Sequence, residues 1–285
     1  MDFLPYAHNE NYVHLPLNFK FCLKYGIEEL NFNTDDLGGR FFLNPKNALQ
    51  VFGDSQVLGL DIDAQTDHYL YKHFKKDFII YAAPNNGPYE VLNFIKLHKK
   101  KIKKKIIINL NLSVDLFRLY SDWDIKNYVA IKSNQLDDIV EKPYKYKILI
   151  TKNLLSNKYF TVARKNEKEM RELFMTRNVQ ILKNNIELYL LKLKEISKEL
   201  SLEINYILIM PYWIYEVQNK KIIKIKSIDE RFKILLCDTF SKNLFLKSIK
   251  ISTLKSINND ILTLDKRHLR SDKISLTSLN KYCNF

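Results

Sequence analysis

The sequence predicts an α/β protein built on a central parallel sheet, and three observations carry that expectation. Short apolar runs alternate along the chain with longer segments of helical periodicity. The runs are apolar at successive positions rather than at every second one, as strands covered on both faces are. Directly after three of these runs stand Ser55, Gly87 and Asn111, small or polar residues of the kind that gather beyond the carboxyl ends of parallel strands.

Residues 1–46 hold Pro5, Pro16, Pro45 and the pair Gly38 and Gly39, and they read as an irregular lead-in packing on the core, with a short hairpin at Asn33 to Phe42. The α/β domain is expected over 47–285. Leu49 to Phe52 is its first strand, followed by a helical stretch from about Asp63 to Lys76 and a second strand, Phe78 to Ala83. Pro88 to Lys100 reads as a helix with proline in its first turn and Val91, Phe94, Ile95 and His98 at helical spacing. Lys105 to Leu110 is the third strand.

Residues 116–165 form a cap insertion in this reading, with a strand at Tyr146 to Thr151. Its Trp123, Tyr128, Tyr144, Tyr159 and Phe160 either stack on sugar rings or make a satellite core. Glu167 to Leu200 carries Leu182, Ile186, Leu190, Leu193, Ile196 and Leu200 at three- and four-residue steps, an amphipathic helix with a break allowed at Asn184 and Asn185. Ile204 to Met210 is a fourth buried strand, and the Tyr212 and Trp213 that follow are candidates for lining a substrate pocket. A helix over Asp229 to Ser241, a strand over Leu244 to Ile251 and a closing helix over Ser271 to Tyr282 complete the chain.

The chemistry is suggested by two stretches far apart in sequence. Gly53-Asp54-Ser55 follows the first strand, with Gly59 four residues on, and glycines there let the backbone turn so that a hydroxyl stands clear of the sheet. Asp54 is read as structural, accepting backbone N–H bonds of the turn. Ser55 by itself is equally a helix N-cap. Near the other end lie Asp265 and His268, three apart, a spacing at which a carboxylate can orient an imidazole that takes a proton from a serine.

These residues resemble the SGNH or GDSL hydrolases, which carry a Gly-Asp-Ser block near the N-terminus and an Asp-x-x-His block near the C-terminus. The resemblance spans about Gln50 to Ser278 and implies a three-layer, flavodoxin-like sandwich with a central parallel sheet. It implies Ser55 as nucleophile, His268 as general base and Asp265 as its orienting partner. The implied oxyanion donors are the backbone N–H groups of Ser55 and Gly87 and an asparagine side chain. For the last, either Asn111 supplies the donor, or Asp115 matches the family aspartate and Val114 stands where the asparagine belongs.

The expected activity is hydrolysis of an O-acyl group on a carbohydrate or small ester, without a cofactor. One alternative is an O-acetyltransferase modifying a surface glycan or its precursor, with acetyl-CoA as acyl donor. A non-catalytic glycan- or nucleic-acid-binding protein is the other.

Composition bounds these readings. The chain has 285 residues, 46% hydrophobic and 13% aromatic, ample for a buried core. No apolar run is long enough for a membrane-spanning helix, and the acidic Met1-Asp2 start lacks the pattern of a signal peptide, so a cytoplasmic protein is expected. Cys22, Cys237 and Cys283 are widely spaced and read as small core residues in a reducing compartment.

The net charge of +14, concentrated in the lysines between 99 and 105, would suit phosphates, yet no nucleic-acid-binding motif accompanies it and nucleic acid is not the expected partner. Asp61 with Asp63, and His68 with His73, lack the companions and spacing of a metal site.

Overall fold

A computed structural model of the protein describes residues 7–8, 12–25, 28–43, 47–59, 61–83, 86–112, 115–120, 131–132, 179–210, 215–218, 221–225, 230–254 and 269–284. Of the cap only 116–120 and 131–132 are described; its named aromatics, the strand expected at Tyr146 to Thr151, the first third of the helix expected from Glu167, and Tyr212, Trp213, Asp265 and His268 lie outside these residues.

Fourteen strands are described: β1 (Ala7–His8), β2 (Val13–His14), β3 (Lys20–Tyr25), β4 (Glu28–Thr34), β5 (Arg40–Phe41), β6 (Leu49–Asp54), β7 (Phe78–Ala83), β8 (Lys105–Asn111), β9 (Ile131–Lys132), β10 (Glu203–Ile209), β11 (Tyr215–Gln218), β12 (Lys221–Ile225), β13 (Ser248–Leu254) and β14 (Ile274–Ser278). Nine of them form one mixed sheet in the order β14-β13-β10-β8-β6-β7-β5-β4-β3. Its middle, β13-β10-β8-β6-β7, is parallel throughout. Counted in chain order those strands read 2-1-3-4-5 from β7 to β13, so the winding reverses between β6 and β8. Such a reversal opens a crevice beyond the carboxyl ends of the two strands. β1, β2 and β9 pair in a small second sheet, and β11 with β12 in a hairpin.

The α-helices are α1 (Tyr69–Phe74), α2 (Pro88–Leu97), α3 (Asp115–Tyr120), α4 (Val179–Leu200), α5 (Glu230–Phe240) and α6 (Leu279–Cys283). Side chains of a strand alternate between faces, and ring contacts show which face each helix covers. Phe94 of α2 meets Phe52 and Tyr81. His68, at the start of α1, meets Phe78 on the other face of β7. α2, α3, α4 and α5 pack one upon the next, whereas α1 packs on β14. Strand residues such as Val51, Ile80, Ile107 and Ile207 are buried in the core, and burying an aliphatic side chain of this size contributes about 1.5–3 kcal/mol.

Several elements differ from expectation. The lead-in is more regular than its prolines suggest: β5, β4 and β3 extend the main sheet antiparallel from β7, and the hairpin at Asn33 to Phe42 is present as the β4/β5 pair. The helix expected over Asp63 to Lys76 is split into a 3-10 turn, Gln65–Asp67, and α1, because His68 has extended backbone and its side chain caps the second piece. α4 runs unbroken through Asn184 and Asn185. The two amides are occupied there: Asn184 accepts from Gln180 and Asn185 donates to the Leu119 carbonyl.

The strand expected at Leu244 to Ile251 starts later, at Ser248. The expected closing helix is a 3-10 turn, Ser271–Lys273, followed by β14 and α6. Ile274, Leu276 and Thr277 pair there with β13, and pairing with an existing edge outweighs local helix propensity.

The cysteines are a further correction. Cys237 and Cys283 are joined by a disulfide between α5 and α6, and Cys22 is exposed, so none is a simple buried thiol. The pairing removes the cysteine argument for a reducing compartment. Among the described residues no helix is long and apolar enough to cross a membrane.

Candidate active site

β6 ends in Gly53 and Asp54, and the chain turns at once. Val57 N–H bonds back to the Asp54 carbonyl at 3.2 Å and Leu58 N–H to that of Ser55 at 3.3 Å. Asp54 Oδ1 accepts the Gln56 N–H at 2.9 Å, so this carboxylate ties the turn together as the sequence suggested. Ser55 is half-buried.

Two glycines are demanded by space and backbone. A Cβ on Gly53 would come within 3.0 Å of the Asn109 carbonyl oxygen of the neighbouring strand. Gly59 has φ +63°, and a Cβ there would lie 2.8 Å from the His68 ring.

The turn is also held from behind. His68 Nε2 donates to the Val57 carbonyl at 2.9 Å and its Nδ1 accepts the Leu70 N–H, which defines a neutral imidazole. Burial, reinforced by the nearby charges of Arg40 and Lys72, lowers its pKa to about 3. Arg40, fully buried under the rings of Phe32 and Phe42, donates to the carbonyls of Leu58, Gly59 and Ile62.

Three of the expected site residues converge. Ser55, Gly87 and Asn111 stand at or just beyond the carboxyl ends of the adjacent strands β6, β7 and β8, where the winding reverses. They are linked by a buried run of hydrogen bonds. Asn111 Nδ2 donates to Asp54 Oδ2 at 3.0 Å, and Asn111 N–H donates to Asp115 Oδ2 at 2.7 Å. Arg118 Nη1 then donates both to Asp115 Oδ1 at 2.7 Å and to the Asn86 carbonyl at 2.9 Å. On the far side of that peptide, Gly87 N–H donates to Glu90 Oε2 at 3.0 Å at the start of α2, the half of a capping box that glycine, lacking a side chain, can make.

Two of the expected oxyanion donors, the Gly87 N–H and the Asn111 amide, are therefore each engaged by a carboxylate in this arrangement. Burial raises the Glu90 pKa, opposed by Arg118 and the Gly87 N–H. Burial and the Asp54 charge raise that of Asp115, opposed by Arg118 and the Asn111 N–H.

Asp265, His268, Tyr212 and Trp213 lie outside the described residues, but the chain directly after His268 does not. Gln56, the residue after the serine, donates from Nε2 to the Leu269 carbonyl at 2.8 Å and accepts the Leu269 N–H on Oε1 at 2.9 Å, across 213 positions of sequence. Asp61 Oδ2 accepts the Ser271 N–H at 2.9 Å beside it. Leu269 is thus bonded to the serine turn by Gln56, and Ser271 to Asp61 close by.

Sequence reasoning did not single out Gln56, Glu90 or Arg118. Glu90 was readable as the third residue after a capping glycine, and Asp115 with Arg118 as an i,i+3 pair. Nothing local marks Gln56. Among the described residues no three His, Cys, Asp or Glu side chains are grouped as a metal site. Comparison with models of known families and with curated proteins found no match for this chain.

Proposed function

We propose that the chain is a serine-dependent acyl-ester hydrolase on a three-layer, flavodoxin-like framework of the SGNH type, acting on an O-acyl group of a carbohydrate or small ester. The observation that carries this reading is the pair of hydrogen bonds between Gln56 and Leu269, because it brings the segment after His268 onto the turn bearing Ser55.

In the proposed reaction Ser55 Oγ attacks the acyl carbon while His268 takes its proton, with Asp265 orienting the imidazole. Collapse of the tetrahedral intermediate breaks the ester C–O bond, and the proton passes from His268 to the leaving alkoxide. Water, activated by the same histidine, then releases the acid and restores the serine. Negative charge on the acyl oxygen is met by the N–H groups of Ser55 and Gly87 and by Asn111. For Gly87, the substrate oxygen takes the place held by Glu90. Tyr212 and Trp213 are assigned to the substrate pocket on sequence alone.

The Cys237–Cys283 bond fits an oxidising compartment, which favours water over acetyl-CoA chemistry. A cytoplasmic setting belongs with the transferase reading.

The test is hydrolysis of para-nitrophenyl acetate, with covalent labelling by a fluorophosphonate, for the wild type, Ser55→Ala and His268→Ala. Label and turnover in the wild type, label lost in Ser55→Ala and turnover lost in both variants, are expected. Equal background rates without label in all three proteins would discard the hydrolase, and acetyl-CoA consumption on adding a sugar would then identify a transferase.

A further inference from the structure

We propose that Arg118 is a positioning residue of this site, holding the Asn86–Gly87 peptide and Asp115 in one register and so setting how the Gly87 N–H and Asn111 face the developing oxyanion. The inference rests on the esterase reading above. Its geometry is independent of the residues at the C-terminal block.

A single nitrogen, Nη1, bonds both partners, at 2.9 Å to the Asn86 carbonyl and 2.7 Å to Asp115 Oδ1. The Asn86 carbonyl and the Gly87 N–H belong to one planar peptide unit, so fixing the oxygen fixes the direction in which the N–H points. Glu90 holds the other side of that unit. Through its second oxygen Asp115 accepts the Asn111 N–H, which sets the backbone from which the Asn111 amide projects.

One cation therefore spans the loops after β7 and β8, two of the three places from which oxyanion donors come. The site is close-packed at the glycine: a Cβ at position 87 would lie 2.8 Å from Glu90 Oε2 and 2.9 Å from Arg118 Cδ. Arg118 is 8% exposed and Asp115 2%, so water does not compete effectively for these bonds.

An ion pair that only tethers α3 would leave chemistry untouched once the protein is folded. A positioning role predicts a loss confined to the transition state, because donor geometry matters most when charge develops on the oxygen. Lysine separates the two: it keeps the charge but is shorter and lacks the planar group that fixes the directions of the two Nη1 N–H bonds.

The experiment measures steady-state hydrolysis of para-nitrophenyl acetate and the rate of fluorophosphonate labelling for wild type, Arg118→Lys and Arg118→Ala, with thermal melts of each. Arg118→Lys is expected to melt cooperatively and to lose about tenfold to a hundredfold in kcat and in labelling rate, with KM nearly unchanged. Methylguanidinium, but not methylammonium, is expected to restore part of the activity of Arg118→Ala.

A folded Arg118→Lys with wild-type kcat, or one altered in KM alone, would overturn the inference while leaving the esterase standing. A wild type that neither turns over ester nor takes the label would remove the esterase reading and this inference with it. Should Arg118→Ala not fold, Arg118→Lys decides the matter by itself.

Discussion

The two ends of the central strands treat charge in opposite ways. At the carboxyl ends of β6, β7 and β8, Asp54, Asn111, Asp115 and Arg118 are buried and bonded in series. At the amino end of β8 the lysines of the run from 99 to 105 are largely exposed and meet acids in separate pairs: Lys99 with Glu199, Lys101 with Asp36 and Lys105 with Glu203. A buried polar group is costly unless every partner is in place, so the first end tolerates little change. Exposed pairs are screened and replaceable. The net charge of +14 draws the eye to the lysines, while the candidate chemistry lies at the end with no visible excess of charge.

The largest expected effect at the buried end is on acid stability. His68 has a folded pKa of about 3, below its unfolded value near 6.5, because burial disfavours the charged ring. Between those two pH values the unfolded chain binds a proton that the folded one does not. Stability from this group is therefore complete above about pH 6.5 and is lost as pH falls toward 3, about 5 kcal/mol at most. Melting wild type and His68→Gln across this window checks it. The wild type is expected to lose stability faster as pH falls, and parallel curves would refute the assignment.

Next comes Gly59→Ala, at about 3 kcal/mol. The substitution combines a left-handed backbone with a Cβ placed 2.8 Å from a fully buried ring. Denaturant unfolding should show a lower midpoint with an unchanged slope. Gln56→Leu follows, with a loss of about 1–3 kcal/mol, because the buried Leu269 N–H and carbonyl lose their partner, and of about tenfold to a hundredfold in ester turnover. Its independent readout is hydrogen exchange, since the Leu269 amide loses its acceptor. Unchanged exchange at Leu269 would show that Gln56 does not hold the segment at Leu269.

These positions also show what could be read in advance. The strands Leu49–Asp54, Phe78–Ala83 and Lys105–Asn111 were legible because burial on both faces leaves an unbroken apolar run, and the serine turn because glycine is required by backbone geometry. β14 was read as helix because its pairing partner, β13, is 20 or more residues away and leaves no local trace. Gln56 went unnoticed for the same reason, since its backbone partner is brought near only by the fold; Arg118 pairs locally with Asp115, but the Asn86 carbonyl it also holds leaves no local trace.

The smallest effect is expected at the exposed end. Lys101→Ala removes a 2.6 Å contact with Asp36, yet both side chains are more than half exposed, at 53% and 55%. The attraction competes with hydration and with the entropy of two long side chains, so less than about 1 kcal/mol is expected, falling further as salt is added. Lys105→Ala, at 3.7 Å from Glu203, should change less still. Melts at low and high salt test this directly, and turnover should be unaffected in both variants. A loss of several kcal/mol, or of activity, at either lysine would show that the two ends of the sheet are coupled through the strands, and the division drawn between them would fail.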